Sequence, residues 1–222
     1  MFNFRIIAYF IGVLSSLIGI FLLSPILVAI IFKEYYLLEN LILSATIPLI
    51  IGITLITIFK RHNIYLGIKD SYIIVTCGWL CSTLFGVLPF YLTKSIPSFT
   101  DAFFETMSGF TTTGASILND IESLPRAILF WRSIIQWLGG MGIIVLSIII
   151  LPSIGGGLSL FDAEAPGYNV EKFHPRIKEN AKRLWLIYFL FTLIETILLW
   201  IAGMTPFDAL CHSFTTMATG GF

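Results

Sequence analysis

Two short stretches hold the residues best suited to chemistry without a charged group. Thr111-Thr112-Thr113-Gly114-Ala115-Ser116 and Ala218-Thr219-Gly220-Gly221 are small, polar and glycine-bearing. Main-chain carbonyls and threonine hydroxyls are neutral oxygen ligands. They can replace the water shell of a hard cation without a full negative charge that would trap it. Glycine lets the backbone take conformations that aim successive carbonyls the same way. A semi-apolar segment beginning Asp-Ala precedes each stretch, at Asp101-Ala102 and at Asp208-Ala209. A short helix there would aim its C-terminal partial charge, about half an electron, at the oxygens that follow.

The charged residues around these stretches support fewer roles. Asp101 and Asp208 are expected as helix N-caps, because a carboxylate accepts the free amides of a first turn. Glu105 lies one turn further in and fits two roles, a charge favourable to the helix dipole or a brace for the loop beyond. Arg132 is expected to pair or to reach toward the interface. Glu195 interrupts an apolar run and is expected to hold helices together, with Thr192 or Thr196 as partner. Cys77 and Cys81 are one helical turn apart with no companion ligand, so packing is the simpler role. His62 and His174 read as loop residues, and His212 falls inside the second short helix.

The elements that must carry these groups follow from composition. Of 222 residues, 57% are hydrophobic and 12% charged, and the mean hydropathy is +0.92. Soluble domains carry about 25% charge. A disordered tail, a coiled coil and an ordinary soluble enzyme are excluded. A formal net charge of zero argues against nucleic acid, and three cysteines without metal spacing exclude a disulfide scaffold.

A bilayer core of about 30 Å takes roughly 20 apolar residues as a helix. Residues 6–32, 40–59, 71–93, 126–151 and 184–204 meet that requirement and predict five spanning helices. The first is too long for a signal-peptide core, and Pro48 is expected to kink the second. Arg5, Lys60, Arg61, Lys69, Lys172, Arg176, Lys178, Lys182 and Arg183 fall on one side if the N-terminus is cytoplasmic, which the positive-inside rule favours. Glu34, Glu39, Asp101, Glu105, Asp120, Glu122 and Asp208 then fall outside.

Residues 101–116 lie between two spans that both end outside. The segment is apolar from 103 to 110, about half the length of a crossing, and then turns polar. That predicts a re-entrant loop, a short helix going in and extended backbone coming out. Such backbone is tolerated at membrane depth only inside protein or against water. The pattern recurs after the fifth helix, where Thr113-Gly114 is matched with Thr219-Gly220 by a one-residue slip from the Asp-Ala register. Gly220 is therefore favoured over Gly221 as the counterpart of Gly114. Repeats around a central polar site are typical of transport proteins. The reading gives two leading helices (1–66), a first helix–pore loop–helix unit (67–152), a cytoplasmic loop (153–182) and a second unit reaching its pore loop (183–222). Gly139, Gly140 and Gly142 are expected at a close helix contact. Gly155, Gly156 and Gly157 are expected to end a helix after Pro152. The inner loop, with Glu164, Pro166, His174 and Pro175, is a solvated stretch or a docking surface.

Four stretches together resemble the Trk/Ktr/HKT superfamily of potassium and sodium transporters, in particular its bacterial TrkH-type members. They are Phe104-Glu-Thr-Met-Ser-Gly-Phe-Thr-Thr-Thr-Gly-Ala, Trp131-Arg-Ser-Ile-Ile-Gln-Trp-Leu-Gly-Gly-Met-Gly, Ala163-Glu-Ala-Pro-Gly and Ala218-Thr-Gly-Gly-Phe. The resemblance covers about residues 70–222. It implies a potassium-channel-like, all-α membrane fold in which four such units surround one pore. It further implies ion passage along backbone carbonyls at Thr111, Thr112, Thr113, Gly114, Ala115, Ala218, Thr219, Gly220 and Gly221, supported by Glu105, Asp101 and Asp208. Gly114 in place of serine favours potassium over sodium by the same resemblance. A homodimer of the full-length chain in the inner membrane is implied, with a cytosolic nucleotide-binding regulatory subunit of the TrkA type, and no cofactor within this chain. The sequence holds one unit and most of a second, so these residues supply two quarters of such a filter. Competing readings are a secondary transporter of another solute class built on broken helices, and an integral membrane enzyme. The enzyme reading finds no His-rich box, paired intramembrane carboxylates or nucleophile motif.

Overall fold

A computed structural model describes residues 4–59, 68–153 and 173–222. Lys60, Arg61, His62, Gly155, Gly156, Gly157, Glu164, Pro166 and Lys172 lie outside the described residues. The described elements are helical. They are α1 (Phe4–Phe21), α2 (Leu23–Ile31), a 3-10 turn (Tyr35–Leu37), α3 (Leu38–Ile58), α4 (Ile68–Gly86), α5 (Leu88–Leu92), α6 (Phe99–Phe110), α7 (Arg126–Ser153), α8 (Phe173–Ile201) and α9 (Pro206–Met217). Among the described residues, Phe4–Ile31, Tyr35–Ile58, Tyr72–Leu92 and Lys182–Ile201 are long and apolar enough to cross a bilayer. Helix α7 runs unbroken for 28 residues, about 42 Å at 1.5 Å per residue.

Proline explains where the long helices break. Pro25 has no N–H to offer the Phe21 carbonyl, and α1 gives way to α2 at Leu22. The Ser24 hydroxyl donates to that carbonyl instead, at 2.6 Å. Pro89 lies just after the α4–α5 break, where Trp131 donates its indole N–H to the Gly86 carbonyl at 2.9 Å. Helix α3 continues through Pro48.

The leading pair, α1 and α3, packs through small residues. A Cβ on Gly12 would lie 2.8 Å from Leu55 Cβ, and one on Gly52 would collide with Ser16. In lipid there is little hydrophobic force between helices, so close backbone approach supplies the attraction. The core lies around α7, which packs on α2, α4, α6, α8 and α9. Trp131, Ile128, Ile135, Phe90, Leu22 and Leu41 are fully buried there.

One boundary differs from the sequence expectation. Residues 173–182, His174 among them, fall in the loop expected at 153–182, but α8 already begins at Phe173. The stretch Lys178-Glu179-Asn180-Ala181-Lys182-Arg183 is made mostly of good helix formers, so the helix extends past the apolar span.

Candidate functional site

Helices α6 and α9 are built alike, each 12 residues long. Ser98 caps α6 by accepting the Asp101 N–H, and Thr205 caps α9 by accepting the Asp208 N–H. Asp101 and Asp208 are therefore not the caps expected from sequence. They sit three residues inside, where a carboxylate suits the positive end of the helix. Thr205 also donates its hydroxyl proton to Asp208 Oδ2 at 2.6 Å. The hydroxyls take the cap because their residues hold the extended conformation, with ψ of 124° and 150°, that a cap requires.

Both helices also end alike. Thr112 N–H bonds the Gly109 carbonyl at 3.0 Å, and Thr113 N–H bonds the Ser108 carbonyl at 2.9 Å. The second loop repeats this with Thr219 to Thr216 at 2.8 Å and Gly220 to Thr215 at 3.2 Å. This double bond pattern is a Schellman turn, which needs its first residue past the cap in the left-handed region. Thr112 and Thr219 occupy that position, with φ of 55° and 59°. A β-branched residue there is costly, and about 1–2 kcal/mol is the usual penalty for the left-handed conformation. Thr111 Oγ1 and Thr113 Oγ1 bridge at 2.8 Å across the first turn.

These turns fix the register of the repeat. Gly114 has φ 74° and Gly221 has φ 67°, each two residues beyond its left-handed threonine. Gly221, not Gly220, is thus the conformational counterpart of Gly114, and the expected one-residue slip disappears. Ser98 and Thr205, Asp101 and Asp208, Phe110 and Met217, and Gly114 and Gly221 all stand at one constant sequence spacing. The slip arose from matching the dipeptide Thr-Gly, whereas the helix ends set the alignment.

Beyond the turn the chain comes back along α6. Ser116 donates to Glu105 Oε1 at 3.0 Å, and the Ile117 N–H bonds Glu105 Oε2 at 3.0 Å. Glu105 lies more than a turn before the end of α6, so residues 113–117 have reversed and climbed beside it. The segment is a short helix followed by a reversed stretch, not an uninterrupted rod. Glu105 is fully buried, and Arg132 Nε of α7 sits 2.8 Å from its Oε1. Of the two roles open to Glu105, the brace is the one with bonds. Arg132 is itself 4% exposed and pairs, as expected. The residue at the repeat position of Glu105 is His212, which is exposed on α9.

The two loops meet. A Cβ on Gly114 would collide with the Gly220 carbonyl oxygen. Helix α7 supports both from one side. A Cβ on Gly139 would collide with the Phe110 carbonyl at the end of α6, and one on Gly140 would lie 3.1 Å from Ala218 Cα at the end of α9. Gly139 and Gly140 are therefore close-contact positions. Gly142 is looser, with Trp79 Cη2 3.6 Å from its Cβ position. Thr111, Thr113, Ala115, Thr219 and Gly221 are exposed, whereas Ala218 is buried.

Other residues fall outside this site. Thr192 and Thr196 bond their own helix, and Thr192 also accepts the Trp137 indole N–H at 3.1 Å. Cys77, Cys81 and Cys211 are free thiols, and among the described residues no group of His, Cys, Asp and Glu could hold a metal ion. Sequence reasoning placed Ser116 in the polar stretch as an oxygen ligand rather than a partner of Glu105, and gave no role to Ile117 or Gln136. Ser116 and Ile117 bond a carboxylate distant in sequence, and Gln136 reveals itself only by being fully buried against the second loop.

A protein-family model for TrkH, described as a cation transport protein, matches residues 38–222. The chain belongs to the TrkH family. The match takes in α3 as well as the stretches that carried the resemblance. Among curated relatives, the Trk system potassium uptake protein TrkH of Escherichia coli K12 is 44% identical over 99% of this chain. That of Vibrio parahaemolyticus is 42% identical over 99%, and TrkG of Escherichia coli K12 is 35% identical over 98%. The crystal structure of the potassium transporter TrkH from Vibrio parahaemolyticus superposes with a TM-score of 0.84 at 40% identity, over 99% of this chain and 44% of that one. The chain spans about half the length of the curated relatives it matches, 46% of the first two. The fold is thus an all-helical membrane fold of helix–re-entrant loop–helix units behind leading spans.

Proposed function

We propose that this chain forms two adjacent quarters of a potassium-selective pore, within a longer Trk-type uptake protein. The observation that carries the reading is the pair of apposed turns at Thr112–Gly114 and Thr219–Gly221, which share one backbone course and one register. Each follows a short helix that delivers a partial negative charge to the turn. Threonine and glycine carbonyls at 111–115 and 218–221 then serve as ligands for a dehydrated ion. Exposure of Thr113, Ala115 and Gly221 supports a face completed by further units of the full-length chain. Potassium enters as cargo, with sodium as the disfavoured competitor. No cofactor and no catalytic step belong to this reading.

The unit boundaries follow from it, with residues 67–152 and 183–222 as the pore units behind residues 1–66 as a leading pair. The N-terminus is cytoplasmic in the inner membrane by the positive-inside rule. The relatives' names support a Trk system. A homodimer and a TrkA-type nucleotide-binding regulator docking on the inner stretch at 153–182, which includes the first turns of α8, complete the assembly. The test is rubidium uptake by the full-length chain in vesicles, with Gly114→Asp beside it. The reading expects selective uptake that the variant abolishes or renders unselective. Unchanged selectivity in Gly114→Asp overturns it.

A further inference from the structure

The two loops are braced by different means. The first is held by its own helix, through Glu105 to Ser116 and Ile117. At the equivalent position the second unit carries His212, which is exposed. Beyond its turn the second loop is bonded to α7, while its Phe222 ring also lies near Gly109 of α6. Gln136 is fully buried, and its Oε1 accepts the Phe222 N–H at 3.3 Å. Its Nε2 has no hydrogen-bond partner among the described residues, and it abuts Gly220 so closely that any Cβ there would collide with it. One turn earlier, Arg132 lies over the Phe222 ring, 3.9 Å from its centroid. The same Arg132 holds Glu105.

We propose that Gln136 is a specificity-determining positioning residue, which with Arg132 and Phe222 sets the spacing of the second loop against the first. The inference rests on the filter reading above. A buried amide with an unused donor is expensive unless it has work that an apolar side chain could not do. Leucine of similar volume would fill this site without leaving a donor bare. The geometry gives the amide two tasks, to fix the Phe222 backbone through Oε1 and to fill the space beside Gly220 with Nε2. Gly220 in turn presents its carbonyl to Gly114, so a displacement of Gln136 passes directly into the gap between the two loops. Arg132 makes the coupling two-sided, since one guanidinium touches the brace of the first loop and the aromatic ring of the second.

The experiment compares potassium and sodium as competitors of rubidium uptake by the full-length chain in vesicles. The variants are Gln136→Leu, Gln136→Met and Gln136→Glu, each checked for membrane abundance and a monodisperse elution profile. Gln136→Leu and Gln136→Met are expected to lower the potassium-over-sodium preference by up to about tenfold, the scale of one net intramolecular hydrogen bond. Gln136→Glu keeps an oxygen for the Phe222 N–H and is expected to retain most of the preference. A purely structural role would lower the amount of folded protein and leave the preference of the remainder intact. That pattern, or full preference in Gln136→Met, overturns the inference. Failure of both apolar variants to accumulate also overturns it, since a positioning role leaves the fold intact. Absence of any preference in the parent chain overturns the filter reading and this inference with it, so the two failures are distinguishable.

Discussion

Gly114 presents its α-carbon so closely to the Gly220 carbonyl oxygen that no side chain fits between them. The two loops, far apart in sequence, are therefore one piece of surface. Gly114 also holds φ 74°, which L side chains rarely adopt. Gly114→Ala meets both obstacles. We expect it to lower the amount of folded full-length chain and to abolish selective rubidium uptake by the molecules that remain folded. Gly203→Ala is the control. Gly203 has φ 106° but open space around it, so only stability should fall.

The Glu105–Arg132 pair is buried on both sides. Removing one member leaves the other charge uncompensated, a loss of about 3–5 kcal/mol for pairs of this kind. Glu105→Gln and Arg132→Met should each lower the thermal midpoint of the detergent-purified full-length chain. Glu105→Gln combined with Arg132→Met should fall less than the two together. Additive losses would show that the two residues act independently.

Two glycines on α7 separate close packing from flexibility. Gly139→Ala places a methyl against the Phe110 carbonyl and should reduce folded protein strongly. Gly142→Ala meets only Trp79, at ordinary contact distance, and should be tolerated or slightly stabilising, because alanine is the better helix former. Membrane abundance and thermal midpoint read both.

The segment after α2 is tied to the start of α7. Glu34 accepts the Arg126 and Ala127 N–H groups with its two oxygens, at 2.8 and 3.0 Å. It thereby caps α7 from another helix pair, while Arg126 lies over Phe32 at 4.6 Å. Glu34→Ala should cost about 1–2 kcal/mol, the scale of a lost helix cap. The loss should appear as earlier proteolysis in the segment joining α2 to α3.

Periodicity and composition made the spans, the two short helices and the polar turns legible, because lipid demands long apolar helices and leaves few other solutions. The resemblance supplied the arrangement of units. Register was not legible. The dipeptide Thr-Gly occurs one residue apart in the two loops, and only the Schellman turns, with threonine rather than glycine at the left-handed position, show which residues correspond. The caps were misassigned for a related reason. Asp101 and Asp208 are good caps by type, but Ser98 and Thr205 sit where the backbone is still extended. Gln136 and the partners of Glu105 depend on tertiary contact and leave no local trace.

The most direct test is a structure of the full-length chain with rubidium, using its anomalous scattering to locate the ion. The account predicts a peak between the two loops, in contact with carbonyl oxygens from residues 111–115 and 218–221. A peak held instead by the carboxylates of Asp101, Glu105 or Asp208, with none at the loops, would contradict it.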